Sequence, residues 1–249
     1  MTGDEAQAGA PVTVLCMKWG AKYGPDYVNR LYGMVARNLA RPFRFLCLTD
    51  DPANIRADVA CAPIPALPPI IQPKERGWLK LAAFSPELEG LLGETVLFLD
   101  LDVVVMGPLD PFFDGPGAFP MIRDWYHHRR VVGNSSVFRF RPAERHDLFE
   151  SFRRDPDPIV TRIRNEQEFL SEYLAARGEL SFWPRAWCQS FRVSCLPPWP
   201  LRAWLAPWRP RDCRVLVFHG EPKPAEALVG RPGLQAFRPT RWIEAYWHA

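Results

Sequence analysis

The chain has 249 residues, 47% of them hydrophobic and 24% charged, with a net charge of +3. So small a charge leaves no electrostatic footprint for nucleic acid. No uncharged apolar run is long enough to span a bilayer, and the opening MTGDEAQAGAP has neither the basic nor the apolar region of a secretory leader.

Residues 1–10 read as a flexible tail and 11–249 as one α/β domain. VTVLCMKW (12–19), apolar and rich in β-branched residues, predicts a first strand. DYVNRLYGMVARNL (26–39) repeats its apolar residues near helical spacing, with Asp26 placed to cap it. FRFLCLTDD (43–51) is a second strand ending in acids, and ADVACAPIP (57–65) a short third. ERGWLKLAAFSPEL (75–88) reads as a helix interrupted near Ser85-Pro86, and the apolar strand ETVLFLDLDVVVMG follows from residue 94. Strands alternating with helices give a mostly parallel sheet covered on both faces, with ligands beyond the carboxyl ends of its strands. Lys18 and Trp19 stand at that end of the first strand, and Asp100 and Asp102 at that end of the later one.

In the second half, GAFPMIRDW and NSSVFRFRP predict two strands, the latter from Asn134, and AERHDLFESFRRD and RNEQEFLSEYLAARG predict two helices. RDWYHHRR (123–130) is a polar, aromatic loop, a lid or an acceptor contact through Asp124 or else a solvated surface. RVLVFHGEPKP (214–224) is a late strand running into a turn, and RWIEAYWHA a closing helix. Between them, residues 182–214 hold five tryptophans and six arginines against one acid. That segment suits surface packing, an acceptor wall of indole faces, or contact with an anionic membrane leaflet. None of the six cysteines forms a CxxC pair, and Cys16 and Cys47 sit inside apolar runs, a pattern that fits a reduced, cytoplasmic setting.

Two acids inside an apolar strand need compensation, because an unpaired buried carboxylate is costly and two like charges close together are worse. Alternation along an extended segment sends Asp100 and Asp102 to one side and Leu101 to the other. Such a pair cradles one hard divalent cation, Mn²⁺ or Mg²⁺, and the cation supplies the missing charge. The bland alternative is a strand edge where both acids meet water or arginines.

DLDVV is similar to motifs of two enzyme groups, the nucleotide-sugar glycosyltransferases of the GT-A fold and the haloacid dehalogenase-type phosphatases, in which Asp100 would be the nucleophile. The phosphatase motif closes the first strand and is joined by a later acidic pair after another apolar strand. Here the motif lies deep in the chain, and DPDP (155–158) follows a basic helix instead. The rest of the chain resembles glycosyltransferase family 8. GWLKLAAFSP before TVLFLDLDVVVMGPLDPFF is similar to that family's lysine-bearing helix, its DxD strand and its DPLF-like turn; NSSVFRF resembles its NxGv strand, NEQEFLSEYL its DQxxLN helix, and FHGEPKP its HxxGxxKPW signature.

The resemblance implies a GT-A fold, a Rossmann-like nucleotide-diphospho-sugar transferase with a mixed, mostly parallel central sheet flanked by helices. It implies metal-dependent transfer, with retention, from a UDP-sugar to a glycan, lipid-linked or small-molecule acceptor. Residues 11–115 would form the nucleotide-binding half and 116–249 the donor-sugar and acceptor half. Asp100 would contact ribose and metal, and Asp102 the metal; Lys80 would touch the donor's phosphates or sugar. Asn134 and Ser135 would line the sugar pocket, with Gln167 near the anomeric carbon for front-face displacement. Gly220 and Lys223 would hold the diphosphate. Lys18 and Trp19 would meet the nucleotide, Trp19 by stacking on the base or else by covering the core. Three departures stand out. Glu166 replaces the family's Asp before Gln, the Trp after KP is absent, and the metal-ligand histidine register holds Val217. His219, two residues on and so on the same strand face, is the candidate third ligand. The rival of another class is a catalytically silent nucleotide-sugar-binding protein of the same fold.

Overall fold

The computed structural model describes residues 11–68, 77–126, 131–233 and 236–249. The expected tail 1–10 and part of the 123–130 loop, including His127 and His128, lie outside the described residues. In chain order the elements are β1 (Val12–Lys18), α1 (Pro25–Asn38), β2 (Phe43–Thr49), β3 (Ala60–Ala62), α2 (Glu89–Leu92), β4 (Val96–Leu99), β5 (Val103–Val105), α3 (Asp110–Asp114), β6 (Phe119–Arg123), β7 (Gly133–Phe140), α4 (His146–Arg154), α5 (Pro156–Arg162), α6 (Glu166–Ala176), β8 (Leu180–Phe182), β9 (Cys188–Ser190), β10 (Val215–Val217) and α7 (Pro224–Val229).

A seven-stranded sheet has the order β3-β2-β1-β4-β7-β6-β8. β3, β2, β1 and β4 pair in parallel, β7 runs antiparallel to both its neighbours, and β8 is parallel to β6. This is the mixed, mostly parallel sheet that the sequence predicts. Both faces are buried, which is why the strands read as unbroken apolar runs. Along β1, Val14 and Cys16 enter one core while Leu15 and Met17 enter the other; β4 splits Leu97 and Leu99 from Val96 and Phe98 in the same way.

A smaller sheet, β5-β10-β9, adjoins the first. The single strand expected from residue 94 is in fact two, and β4 and β5 belong to different sheets. The chain changes sheets at Asp100–Asp102, where it turns. Its backbone partners change with it: Asp100 N–H donates to Ser136 O beside β4's partner β7, and Asp102 O accepts from Phe218 N–H beside β5's partner β10. Every buried backbone group needs a partner, so this handover fixes the two aspartates at the seam.

Four local expectations change. α1 starts from Gly24 with Pro25 in its first turn, and Asp26 is a first-turn acid rather than the cap. The helix expected over 75–88 is a 3-10 turn, Trp78–Phe84, that Gly77 opens at φ +84° and Ser85 closes, its Oγ accepting from Glu87 N–H. The late strand stops at Val217, and the turn beyond it passes through Gly220 at φ +69° into α7. Instead of a closing α-helix there is a 3-10 turn, Arg241–Ala245.

Candidate active site

The carboxyl ends of β1 and β4 frame a cavity of about 340 Å³ whose wall includes Trp19, Tyr23, Gly77, Lys80, Asp100 and Asp102. Both aspartates reach it, and so does Leu101, because the turn replaces strict alternation.

Each carboxylate has its own ammonium. Lys80 Nζ lies 2.8 Å from Asp100 and 3.7 Å from Glu166 Oε1, and it also reaches Ser135 O and Oγ at 3.4 Å. Burial alone would push the Lys80 ammonium below its usual value, but the charges of Asp100 and Glu166 outweigh burial and hold it well above. Burial raises Asp100, against Lys80, and Asp102 raises it further; burial likewise raises Glu166, against Lys80 and the Ser135 hydroxyl. Lys223 Nζ donates to Asp102 Oδ2 and to Phe218 O, and Tyr23 OH donates to the same Oδ2 at 2.8 Å. Burial, followed by the Asp102 charge, pushes the Tyr23 phenol far up, so it stays a donor.

Glu166 sits at the start of α6, 4% exposed, accepting from Ser135 Oγ. It approaches closely because Gly77 has no side chain: a Cβ there would fall 2.3 Å from Glu166 Oε2. The carboxylate therefore faces Lys80 and Ser135; like Asn134, Ser135 and Gln167, it is not among the residues lining this cavity. Next to it, Asn134 Nδ2 donates to Gln167 Oε1 at 3.4 Å, and Asn134 Oδ1 accepts from Ser136 N–H.

Two expected residues are placed elsewhere. Lys18 Nζ is spent on Asp51 O at 3.0 Å, tying the end of β1 to the loop after β2, and only its neighbour Trp19 lines the cavity. His219 Nε2 shares a 2.7 Å hydrogen bond with Ser190 Oγ, and its ring stacks on Trp125 with centroids 5.0 Å apart. Burial, helped by Arg192, lowers its pKa and keeps it neutral. Among the described residues no three His, Cys, Asp or Glu side chains are grouped as a metal site, and His219 is held by Ser190 and Trp125. Physically, Val217 takes the ligand register as a buried member of β10, paired with Val103, and the chain has begun its turn by His219. His219→Ala is thus expected to change Mn²⁺ affinity in the presence of UDP by less than about threefold. Loss of a true ligand would exceed the roughly 10–100-fold that even outer partners command, so a drop of that size in a calorimetric titration would restore the ligand role.

Sequence reasoning missed Tyr23, Gly77, Ser190 and Trp125. Tyr23 had a usable signal, since it lies in the loop directly after β1, at the ligand-binding end of the sheet.

No protein-family profile and no curated protein matches the chain. Solved structures do. The galactosyltransferase LgtC in complex with donor and acceptor sugar analogs superposes with a TM-score of 0.59 at 16% identity, over 86% of this chain and 89% of that one. An active-site glutamine-to-glutamate mutant of LgtC gives 0.56 at 14% identity, again over 86% and 89%. The architecture is therefore the GT-A fold.

Proposed function

We propose that the protein is a metal-dependent glycosyltransferase that takes a UDP-sugar and passes the sugar, with retention, to an acceptor. One observation carries this reading: in a fold shared with a galactosyltransferase, two carboxylates line one cavity at the ligand-binding end of the sheet, and each is paired with a lysine, Asp100 with Lys80 on the same wall and Asp102 with Lys223. A phosphatase would need further acids there, whereas Asp155 and Asp157 lie at the start of α5 and do not line the cavity.

The donor set suits a hard cation. Asp102 already receives a positive group, the Lys223 ammonium, and its oxygens and those of Asp100 are what Mn²⁺ or Mg²⁺ prefers. Asp100 and Asp102 would hold the ion, which when bound neutralises charge on a departing diphosphate. Lys80 and Lys223 direct two more positive charges at that leaving group, where charge grows in the transition state. Gly220, at φ +69°, lets the backbone turn beside Lys223. Trp19, on the cavity wall, would offer an indole face to the base, and Gln167, whose carbonyl accepts from Asn134 Nδ2, would stand near the anomeric carbon. In this reading residues 11–115 take the nucleotide and 116–249 the sugar and acceptor.

A reducing, cytoplasmic setting is supported by six free thiols. No helix among the described residues is long and apolar enough to cross a membrane. A peripheral contact with an anionic leaflet is supported by Trp199, Trp204 and Trp208, each more than half exposed in an arginine-rich segment.

UDP with Mn²⁺ should raise the melting temperature of the wild type. Ligand at a hundred times Kd adds roughly 2.7 kcal/mol, or about 5–10 °C for a chain of this size. Asp102→Ala should remove the shift, and some UDP-sugar in a donor panel should be hydrolysed slowly. No shift with any nucleoside diphosphate sinks the reading, and a shift without turnover of any donor favours the silent binder.

A further inference from the structure

A second cavity, of about 260 Å³, opens beside His219: Trp125, whose ring stacks on the imidazole, is part of its wall, with Trp183, Arg123, Arg185 and Asp124. The indole of Trp183 is held rigid by its Nε1–H donating to Val137 O at 3.2 Å. Arg192 stands close by, its Nη1 3.4 Å from where a Cβ on Gly220 would be. Thus two arginines, one ending β6 and one following β8, line a single aromatic cavity, and Arg192 lies beside Gly220.

Several arginines of the protein are neutralised by an acid. Arg41, Arg56, Arg145, Arg153, Arg162 and Arg177 all have carboxylate partners. Among the described residues none pairs with Arg123, Arg185 or Arg192; Arg123 rests over the Phe182 ring at 5.7 Å. Asp124 is the one acid on the wall, and its Oδ1 accepts from Tyr126 N–H. The cavity therefore presents apolar ring faces, suited to a sugar, with an excess of planar cationic forks, suited to phosphate oxygens.

We propose that this cavity receives the acceptor, and that the acceptor is a sugar carrying a phosphate group read by Arg123 and Arg185, with Arg192 adding charge at the edge nearest Gly220. The proposal rests on the transferase reading above and adds to it the class of acceptor. A neutral sugar would use the tryptophans and leave the guanidiniums without partners. A phosphate on a soluble sugar and one joining a sugar to a lipid present the same chemistry to these side chains.

Calorimetric titration tests it. Protein saturated with UDP and Mn²⁺, so that Lys80 and Lys223 are occupied, is titrated with glucose, glucose 6-phosphate, and a detergent-solubilised prenyl phosphate-linked glucose. A phosphorylated probe should bind about tenfold or more tightly than glucose. Arg123→Ala with Arg185→Ala should erase that preference while UDP affinity stays within about twofold, and the paired Lys substitutions should restore part of it. Tighter binding of the prenyl-linked probe assigns the phosphate to a lipid carrier, and tighter binding of glucose 6-phosphate to a soluble acceptor. Equal affinity for glucose and both phosphates, or a preference that survives the double alanine variant, overturns the proposal. If UDP itself does not bind, the transferase reading fails, while an arginine-dependent phosphate preference still stands as a property of the cavity.

Discussion

Lys223→Ala is expected to move two affinities in opposite directions: UDP should bind roughly 10- to 100-fold more weakly, while Mn²⁺ measured without nucleotide should bind more tightly than to wild type. The first effect is the loss of a charged hydrogen-bond donor to a diphosphate, about 1.5–3 kcal/mol. The second follows from competition. Asp102 Oδ2 already receives Lys223 Nζ and the Tyr23 hydroxyl, and a metal must displace an ammonium to reach it. In wild type the diphosphate offers that ammonium another anion, so UDP should strengthen Mn²⁺ binding and, by linkage, Mn²⁺ should strengthen UDP binding by the same factor. In the variant this mutual gain should shrink. Calorimetry with each ligand alone and then together reads all four quantities. If Lys223→Ala weakens Mn²⁺ and UDP alike, Lys223 is not the occupant of the metal position and the exchange is wrong.

That exchange marks the boundary of what the sequence makes legible. The aspartate pair and the alternation of strands and helices follow from apolar periodicity, and the GT-A architecture from the resemblance carried by the motifs in their order. What compensates the two acids does not. The partner of Asp100 is 20 residues away and the partner of Asp102 is 121 away, so neither pairing has a local pattern. The split of one apolar run into β4 and β5 is hidden for a related reason: both pieces are buried on both faces, and composition alone does not report a change of sheet. His219 illustrates the converse. Counting two residues along a strand puts it on the metal-ligand face, but the strand ends at Val217, so the count no longer applies. Lys18 reads as a site residue from its place at the carboxyl end of β1, yet its ammonium donates to Asp51 O in the loop after β2.

The largest effect on stability is expected at Lys80. Lys80→Met keeps the length of the side chain and removes its charge, leaving Asp100 and Glu166 facing each other's field in a buried pocket; their side chains are 19% and 5% exposed. Taking one partner from a buried ion pair costs about 3–5 kcal/mol, a fall in melting temperature on the order of 10 °C. The loss should depend on pH in a definite direction. Both acids have folded pKa values raised by burial even with Lys80 present, and removing the lysine raises them further. Between the unfolded and folded pKa values the folded state then holds more protons than the unfolded state, so stability falls as pH rises. The deficit of the variant should therefore be greatest near about pH 8 and shrink toward about pH 5, as the stranded carboxyls protonate. Adding Glu166→Gln, which leaves a group that still accepts from Ser135 Oγ, should recover part of the loss at pH 8 and little at pH 5. Denaturant titrations of the single and double variants at the two pH values decide the matter. A Lys80→Met protein within about 1 kcal/mol of wild type at pH 8 would mean that water, and not Lys80, compensates the acids at the seam between the two sheets.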